Sequence, residues 1–181
     1  MSLLLWNCCK LGNPRTENEL VRLIQTKDPS IVFIAKTRAD KVRLDCTLSN
    51  INFDHKWVAP RLNRGGGLVL FWKNSINIDV VDCHRYFIDT IINENTENTW
   101  RFTGFYGESE THRRSKAWSK LRSLNSRMNI PWIYGGDFNK IVRQEEKWSE
   151  ASRDHNQMQL FRDVIDECQF MDLAYVGPKF T

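Results

Sequence analysis

Layered β-sheets flanked by α-helices, an α/β fold, is the architecture that these 181 residues predict. Three observations carry the prediction. The chain opens as strand, helix, strand; its middle alternates short apolar runs with turn residues; and amphipathic helical stretches stand among the strands that follow.

Residues 2–8 form the first strand, an apolar run that meets Asn7. Gly12-Asn13-Pro14 then breaks the backbone, and Thr16-Glu17-Asn18-Glu19 supplies a capping box for a helix whose Leu20, Leu23 and Ile24 share one face. Asp28-Pro29 closes that helix, and Ile31-Val32-Phe33-Ile34 reads as a strand buried on both faces. This order favours parallel pairing through a right-handed crossover. Arg64-Gly65-Gly66-Gly67 is a turn before the strand 68–72, since no Gly-Lys-Ser/Thr follows to make it a nucleotide loop. Lys73-Asn74-Ser75 joins that strand to one at 76–81 in hairpin fashion, and strands at 86–92 and 99–106 flank the polar stretch 93–98. Residues 111–128 turn helical on the stripe Trp118, Leu121, Leu124 and Met128. A strand at 130–134 ends in Gly135-Gly136, a helix at 154–168 turns Met158, Phe161, Ile165 and Cys168 to one face, and 170–176 begins a further strand. No repeat, low-complexity tract or linker divides the chain, so 1–181 reads as one domain.

A hydrophobic fraction of 41% with 27% charged residues is that of a soluble globular protein. The opening apolar run has no basic stretch before it and no small-residue cleavage site after it, so it reads as a strand rather than a signal peptide. Charged residues or asparagine interrupt every apolar run before the ~18 residues of a membrane span. The expectation is an intracellular protein, nuclear or cytoplasmic, without membrane contact. Five cysteines (Cys8, Cys9, Cys46, Cys83, Cys168) at irregular spacing, without a CxxC pair, read as reduced and structural, with no disulfide partner. The net charge of +4 permits a polyanionic partner. Between His112 and Arg127 stand Arg113, Arg114, Lys116, Lys120 and Arg122 without one acidic residue, which serves either nucleic-acid phosphates or a solvated helix face. Of seven tryptophans, Trp57 and Trp148 fall outside buried patterns.

The sharpest chemical signal is Trp132-Ile133-Tyr134-Gly135-Gly136-Asp137-Phe138-Asn139. In an extended backbone Asp137 and Asn139 project together, Phe138 turns into the core, and the two glycines leave room for a phosphate or metal. A carboxylate and a carboxamide can activate and orient a water against a phosphodiester. A plain loop capping the strand is the alternative. Asn7 and Tyr106 hold similar strand-end positions, Trp6 turning inward and Asn7 the other way.

Trp6-Asn7, Pro29-Ser30-Ile31-Val32-Phe33-Ile34, Gly66-Gly67-Leu68, Gly104-Phe105-Tyr106-Gly107 and Gly135-Gly136-Asp137-Phe138-Asn139 come in an order and spacing that resembles endonuclease/exonuclease/phosphatase domains. The match looks closest to endonucleases of plant LINE-type (non-LTR) retrotransposons, to which Trp100-Arg101-Phe102-Thr103 and Gln157-Met158-Gln159-Leu160-Phe161-Arg162-Asp163 are also similar. The resemblance implies a four-layer α/β sandwich, two packed mixed sheets flanked by helices, and a Mg²⁺-dependent hydrolase nicking DNA. It implies that Asn7 and Asp137 help hold the metal, that Tyr106 supports the transition state, and that Asp137 with Asn139 positions or deprotonates the attacking water. Arg113, Arg114, Lys116 and Lys120 are the candidate nucleic-acid contacts.

Two departures point to impaired or lost cleavage. Lys36 stands where the family pattern carries a metal-binding glutamate, and an ammonium repels the ion that a carboxylate attracts. Rescue would need Lys36 to grip a phosphate directly or Asp40 to move in as a ligand. The second departure is an expected C-terminal truncation: the family's aspartate-histidine pair has no counterpart, and His55, His84, His112 and His155 all lie upstream. The alternatives are a non-catalytic nucleic-acid-binding remnant and, ranked lower, a phosphodiesterase or phosphatase acting on small phosphate esters.

Overall fold

The first helix starts one turn earlier than the capping box predicts. Asn13 is the N-cap, its side-chain oxygen accepting from Arg15 N at 3.0 Å, and Pro14 takes the first helical position, where a missing N–H costs nothing. Thr16 and Glu17 therefore lie inside α1 (Pro14–Lys27), which ends on Asp28 in the left-handed region (φ 42). In this computed structural model residues 1–8, 10–39, 41–60, 67–143 and 155–174 are described. Cys9, Asp40, the Arg64-Gly65-Gly66 turn, Trp148, the predicted helix start at 154 and the end of the predicted strand at 175–176 lie outside them.

The chain groups into two compact units, Met1–Tyr106 with Ile130–Asp137, and Gly107–Asn129 with Phe138–Thr181. In the first, β1 (Leu3–Asn7), β2 (Ile31–Ala35), β4 (Leu68–Trp72) and β3 (His55–Val58) form one sheet in the order β1-β2-β4-β3. The β1 and β2 strands are parallel, as the opening pattern predicts, and the others antiparallel. The second sheet runs β5 (Ile78–His84), β6 (Phe87–Ile92), β7 (Trp100–Tyr106), β8 (Trp132–Asp137), with only β7 and β8 parallel. The result is the predicted α/β fold of two packed mixed sheets flanked by helices. Helix α2 (Lys41–Asn50) and strand β3 have no counterpart in the sequence reading. The predicted strand at 170–176 is absent over 170–174, where Met171 and Leu173 are among the most exposed large apolar residues and no neighbouring strand pairs with them.

Strict alternation sends the first sheet's side chains to two cores. Leu4, Trp6, Val32, Ile34, Val69 and Phe71 meet Leu20 and Ile24 of α1 and Leu44 of α2. Leu3, Leu5, Ile31, Phe33, Leu68 and Leu70 meet Ile88, Ile92 and Phe102 of the second sheet. "Inward" thus has two senses: Trp6 packs on the helix side, and Asn7 shares the inter-sheet face with Leu5.

The second sheet's other face holds a charge. Arg101 donates through Nε and Nη2 to Asp89 at 2.8 and 2.7 Å, and both side chains are essentially unexposed. Thr103 donates to the same carboxylate at 2.6 Å and accepts from Trp132 Nε1 at 2.9 Å, while the Trp132 ring lies 4.2 Å from the guanidinium. A buried pair is tolerable when its hydrogen-bonding capacity is met in this way.

In the second unit α3 (Arg114–Asn125), preceded by the 3-10 turn Thr111–Arg113, packs on α4 (His155–Glu167). Trp118 stacks on Phe161 at 6.0 Å, and Phe138 meets the same ring at 5.4 Å, so Phe138 does turn into a core. Hydrogen bonding to Arg122 holds the exposed Glu167 carboxyl below its usual value, and burial pushes the Cys168 thiol up. Cys8 and Cys168 are buried, whereas Cys46 is exposed. Among the described residues no helix is long and apolar enough to cross a membrane.

Removing one partner of the Asp89–Arg101 pair strands the other in the core. Asp89→Ala is expected to lower unfolding free energy by about 3–5 kcal/mol in urea titration. A loss below about 1 kcal/mol would show that Arg101 finds water or another acceptor.

Candidate active site

Two glycines decide how closely the sheets approach. Gly104 of β7 and Gly135 of β8 are register partners on the inter-sheet face. A Cβ at Gly104 would lie 2.3 Å from Phe33 Cδ2, and one at Gly135 would lie 2.4 Å from Leu5 Cδ1. The rings and methyls of the facing sheet fill the room that two side chains would have taken.

One pleat further on, the same registers bring polar groups together. Leu5 leads to Asn7 and Gly135 to Asp137, each two residues on along the same face. Asn7 Nδ2 donates to Asp137 Oδ2 at 2.5 Å. Tyr106 is the register partner of Asp137, and Ala35 that of Asn7. A small cleft of about 170 Å³ opens between Leu5, Asn7, Phe33 and Ala35 on one sheet and Gly136 and Asp137 on the other.

Lys36 reaches this end of the sandwich by leaving the strand. Its backbone is left-handed (φ 58), and its Nζ lies 5.5 Å from the centre of the Tyr106 ring. Continued alternation after Ala35 would have sent it to the helix side with Val32 and Ile34. Four candidates named from sequence, Asn7, Lys36, Tyr106 and Asp137, therefore stand at one end of the first unit.

Two expectations need correction. Gly135 does not leave space for a ligand, because Leu5 claims its position, whereas Gly136 (φ 139), where a Cβ would lie 1.9 Å from the Phe105 carbonyl oxygen, lines the cleft. Alternation does not carry Asp137 and Asn139 to one face either. The strand ends at Asp137, and Asn139, which belongs to the second unit, is left-handed (φ 52) with its Nδ2 donating to Gly107 O at 2.6 Å.

The basic stretch also divides. Lys116 and Lys120 are exposed on α3, and Arg113 is exposed beside Glu110 at 3.3 Å. Arg114 is 6% exposed and donates to the carbonyls of Glu108 and Ser109 at 3.1 and 2.9 Å, so it is a packing residue rather than a surface contact. Of the histidines, His55 stacks on Trp72, His84 packs against Tyr86 and Phe87, and His112 is exposed. Trp57 is 41% exposed, as its pattern predicts.

The sequence places Gly104 in a family motif without giving it a role, although a signal for one exists. A glycine stands two residues before the polar strand end in both Gly104-Phe105-Tyr106 and Gly135-Gly136-Asp137.

Two packed mixed sheets with polar strand ends gathered at one rim define a layered α/β sandwich. The Endonuclease/Exonuclease/phosphatase family model matches residues 4–166, and the chain belongs to that family. No curated protein sequence is significantly similar to it. Its fold is similar to AP endonuclease LMAP from Leishmania major (TM-score 0.69, 16% identity, 92% of this chain and 66% of that one). It is also similar to the 3′ phosphatase NExo from Neisseria bound to product DNA hairpin (0.67, 15%, 92% and 71%). A third likeness is to the endonuclease domain of TRAS1, a telomere-specific non-LTR retrotransposon (0.63, 13%, 91% and 69%). The chain spans just under two thirds of the length of LMAP.

The family is generally metal-dependent, and the residues present here do not fit a divalent ion well. Mg²⁺ selects hard oxygen donors, above all carboxylates. Among the described residues Asp137 is the one carboxylate of the strand-end group, its Oδ2 accepts from Asn7, and the position matched to the family's glutamate presents an ammonium over Tyr106. No group of three His, Cys, Asp or Glu side chains comes together among the described residues.

The glycine pair generates a test of the geometry. Gly104→Ala is expected to cost about 1–3 kcal/mol by overpacking against Phe33 and to move the Asn7 and Asp137 side-chain signals in NMR spectra. Gly12→Ala, at a position with nothing within 4 Å, serves as the control. Equal stability of the two variants would mean that the sheets' separation is set elsewhere.

Proposed function

We propose that this chain is a DNA-nuclease domain of the retrotransposon type in which metal-dependent phosphodiester cleavage is weak or lost. Family membership, a retrotransposon endonuclease among its structural likenesses, and the plant LINE-like motif set support the ancestry. In that ancestral reaction Mg²⁺ is the cofactor and DNA the substrate. Asn7 and Asp137 would hold the metal and phosphate, Tyr106 would stabilise developing charge, and Asp137 would position or deprotonate the water. The observation that carries the loss is the Lys36 ammonium above the Tyr106 ring, at the rim where the Asn7–Asp137 pair stands. A fixed positive charge there opposes a dication and leaves the set one carboxylate short.

Nicking of supercoiled plasmid in Mg²⁺ tests the reading. The unmodified chain is expected to be inactive and Lys36→Glu to regain nicking that Asp137→Ala abolishes again. Nicking by the unmodified chain that disappears in Asp137→Ala would sink the proposal.

A second reading, a nucleic-acid-binding remnant, is favoured by the exposed Arg113, Lys116 and Lys120. Three phosphate contacts would give duplex-DNA affinity a slope of about −2 to −3 in log Kobs against log salt, unchanged by EDTA. Binding insensitive to salt would remove this reading.

A further inference from the structure

We infer that Lys36 converts the rim between the sheets into a phosphate-binding site that needs no divalent ion. The inference rests on the same site being one for phosphate esters, and it names how the anion is held.

Position supports it first. A lysine in the left-handed region is unfavourable, and such strain persists only where the surroundings impose it. Here they do. Cys8 N donates to Ala35 O at 3.2 Å and Cys8 Sγ reaches Lys36 O at 3.8 Å. On the other side Thr37, 1% exposed, donates to Gly67 O at 3.2 Å and accepts from Leu11 N at 2.7 Å. The backbone is pinned before and after Lys36, and the turn at Lys36 carries the side chain from the helix side to Tyr106. The backbone at Lys36 therefore needs no rearrangement to present its ammonium to an anion at the rim.

Chemistry supports it second. The Lys36 ammonium, the Tyr106 phenol and the Asn7 amide are hydrogen-bond donors, and Asp137 is the single anion among them. A metal asks for oxygen acceptors, whereas a phosphate oxygen asks for donors and positive charge. This donor-rich set matches a phosphate group directly. A cleft of about 170 Å³ shares Asn7 and Asp137 with this set and is otherwise lined by Leu5, Trp6, Phe33, Ala35 and Gly136, with room for a small oxyanion.

The test titrates the labelled full chain with inorganic phosphate, and separately with the diester thymidylyl-thymidine, following backbone amide signals of Asn7, Lys36, Tyr106 and Asp137 in EDTA and in Mg²⁺. Saturable shifts at these positions are expected for at least one probe, with dissociation constants that agree within about twofold in the two buffers. The tighter probe tells a terminal phosphate from a backbone diester. Lys36→Asn, which tolerates left-handed backbone, is expected to stay folded and weaken binding about tenfold or more, while Lys36→Arg keeps it. Lys36→Glu should bind only in Mg²⁺. A Mg²⁺ requirement in the unmodified chain, equal affinity in Lys36→Asn, or no binding of either probe would overturn the inference. Plasmid nicking by the unmodified chain with metal-free phosphate binding intact would instead overturn only the reading of lost cleavage.

Discussion

Where Gly104 and Gly135 lie side by side, the second sheet presents bare backbone, and Phe33 and Leu5 of the first sheet occupy the gap. The Asn7–Asp137 pair at the rim follows from that contact. The pleat repeats every two residues, so a close approach at one layer dictates a close approach at the next, and Asn7 meets Asp137 because Leu5 meets Gly135. Larger residues at either glycine would hold the sheets apart by about the width of a methyl group. The amide and the carboxylate would then be separated before any ligand arrived.

Charge is managed differently on the two faces of the second sheet. On the outer face Arg101 and Asp89 neutralise each other in a buried set with Thr103 and Trp132, in which the Asp89 carboxylate accepts from both Arg101 and Thr103. Such an arrangement confers rigidity and takes no part in chemistry. At the rim Lys36 and Asp137 stand beside Tyr106 on partly exposed strand ends. Exposure there lets a ligand compete for the charges, which is the physical difference between a structural ion pair and a binding site.

The family resemblance and the structure agree on the family and part on the ion. A single substitution changes what the rim attracts, because the glutamate and lysine alternatives differ by two units of charge on the same backbone. The left-handed turn at Lys36 sharpens that change. It places the ammonium over Tyr106 instead of on the helix side of the sheet.

Much of this fold was legible in order of residues alone. Ile31-Val32-Phe33-Ile34 announces a strand buried on both faces, Asp28-Pro29 stops a helix, and strand-helix-strand implies a parallel pair, because these signals depend on local backbone preferences and periodicity. The polar strand ends Asn7, Tyr106 and Asp137 were visible for the same reason. Local rules failed where a residue's role depends on a distant partner. Gly135 reads as room for a ligand until Leu5 is seen in it, Arg114 reads as a DNA contact until its carbonyl acceptors appear, and α2 and β3 lack strong patterns of their own. By itself the sequence determined most of the elements and which polar groups end three of the strands, since periodicity and capping act within a few residues. Only tertiary structure decided that Asn7 touches Asp137 and that Lys36 faces Tyr106, because sheet separation and a strained turn arise from packing between segments up to 130 residues apart.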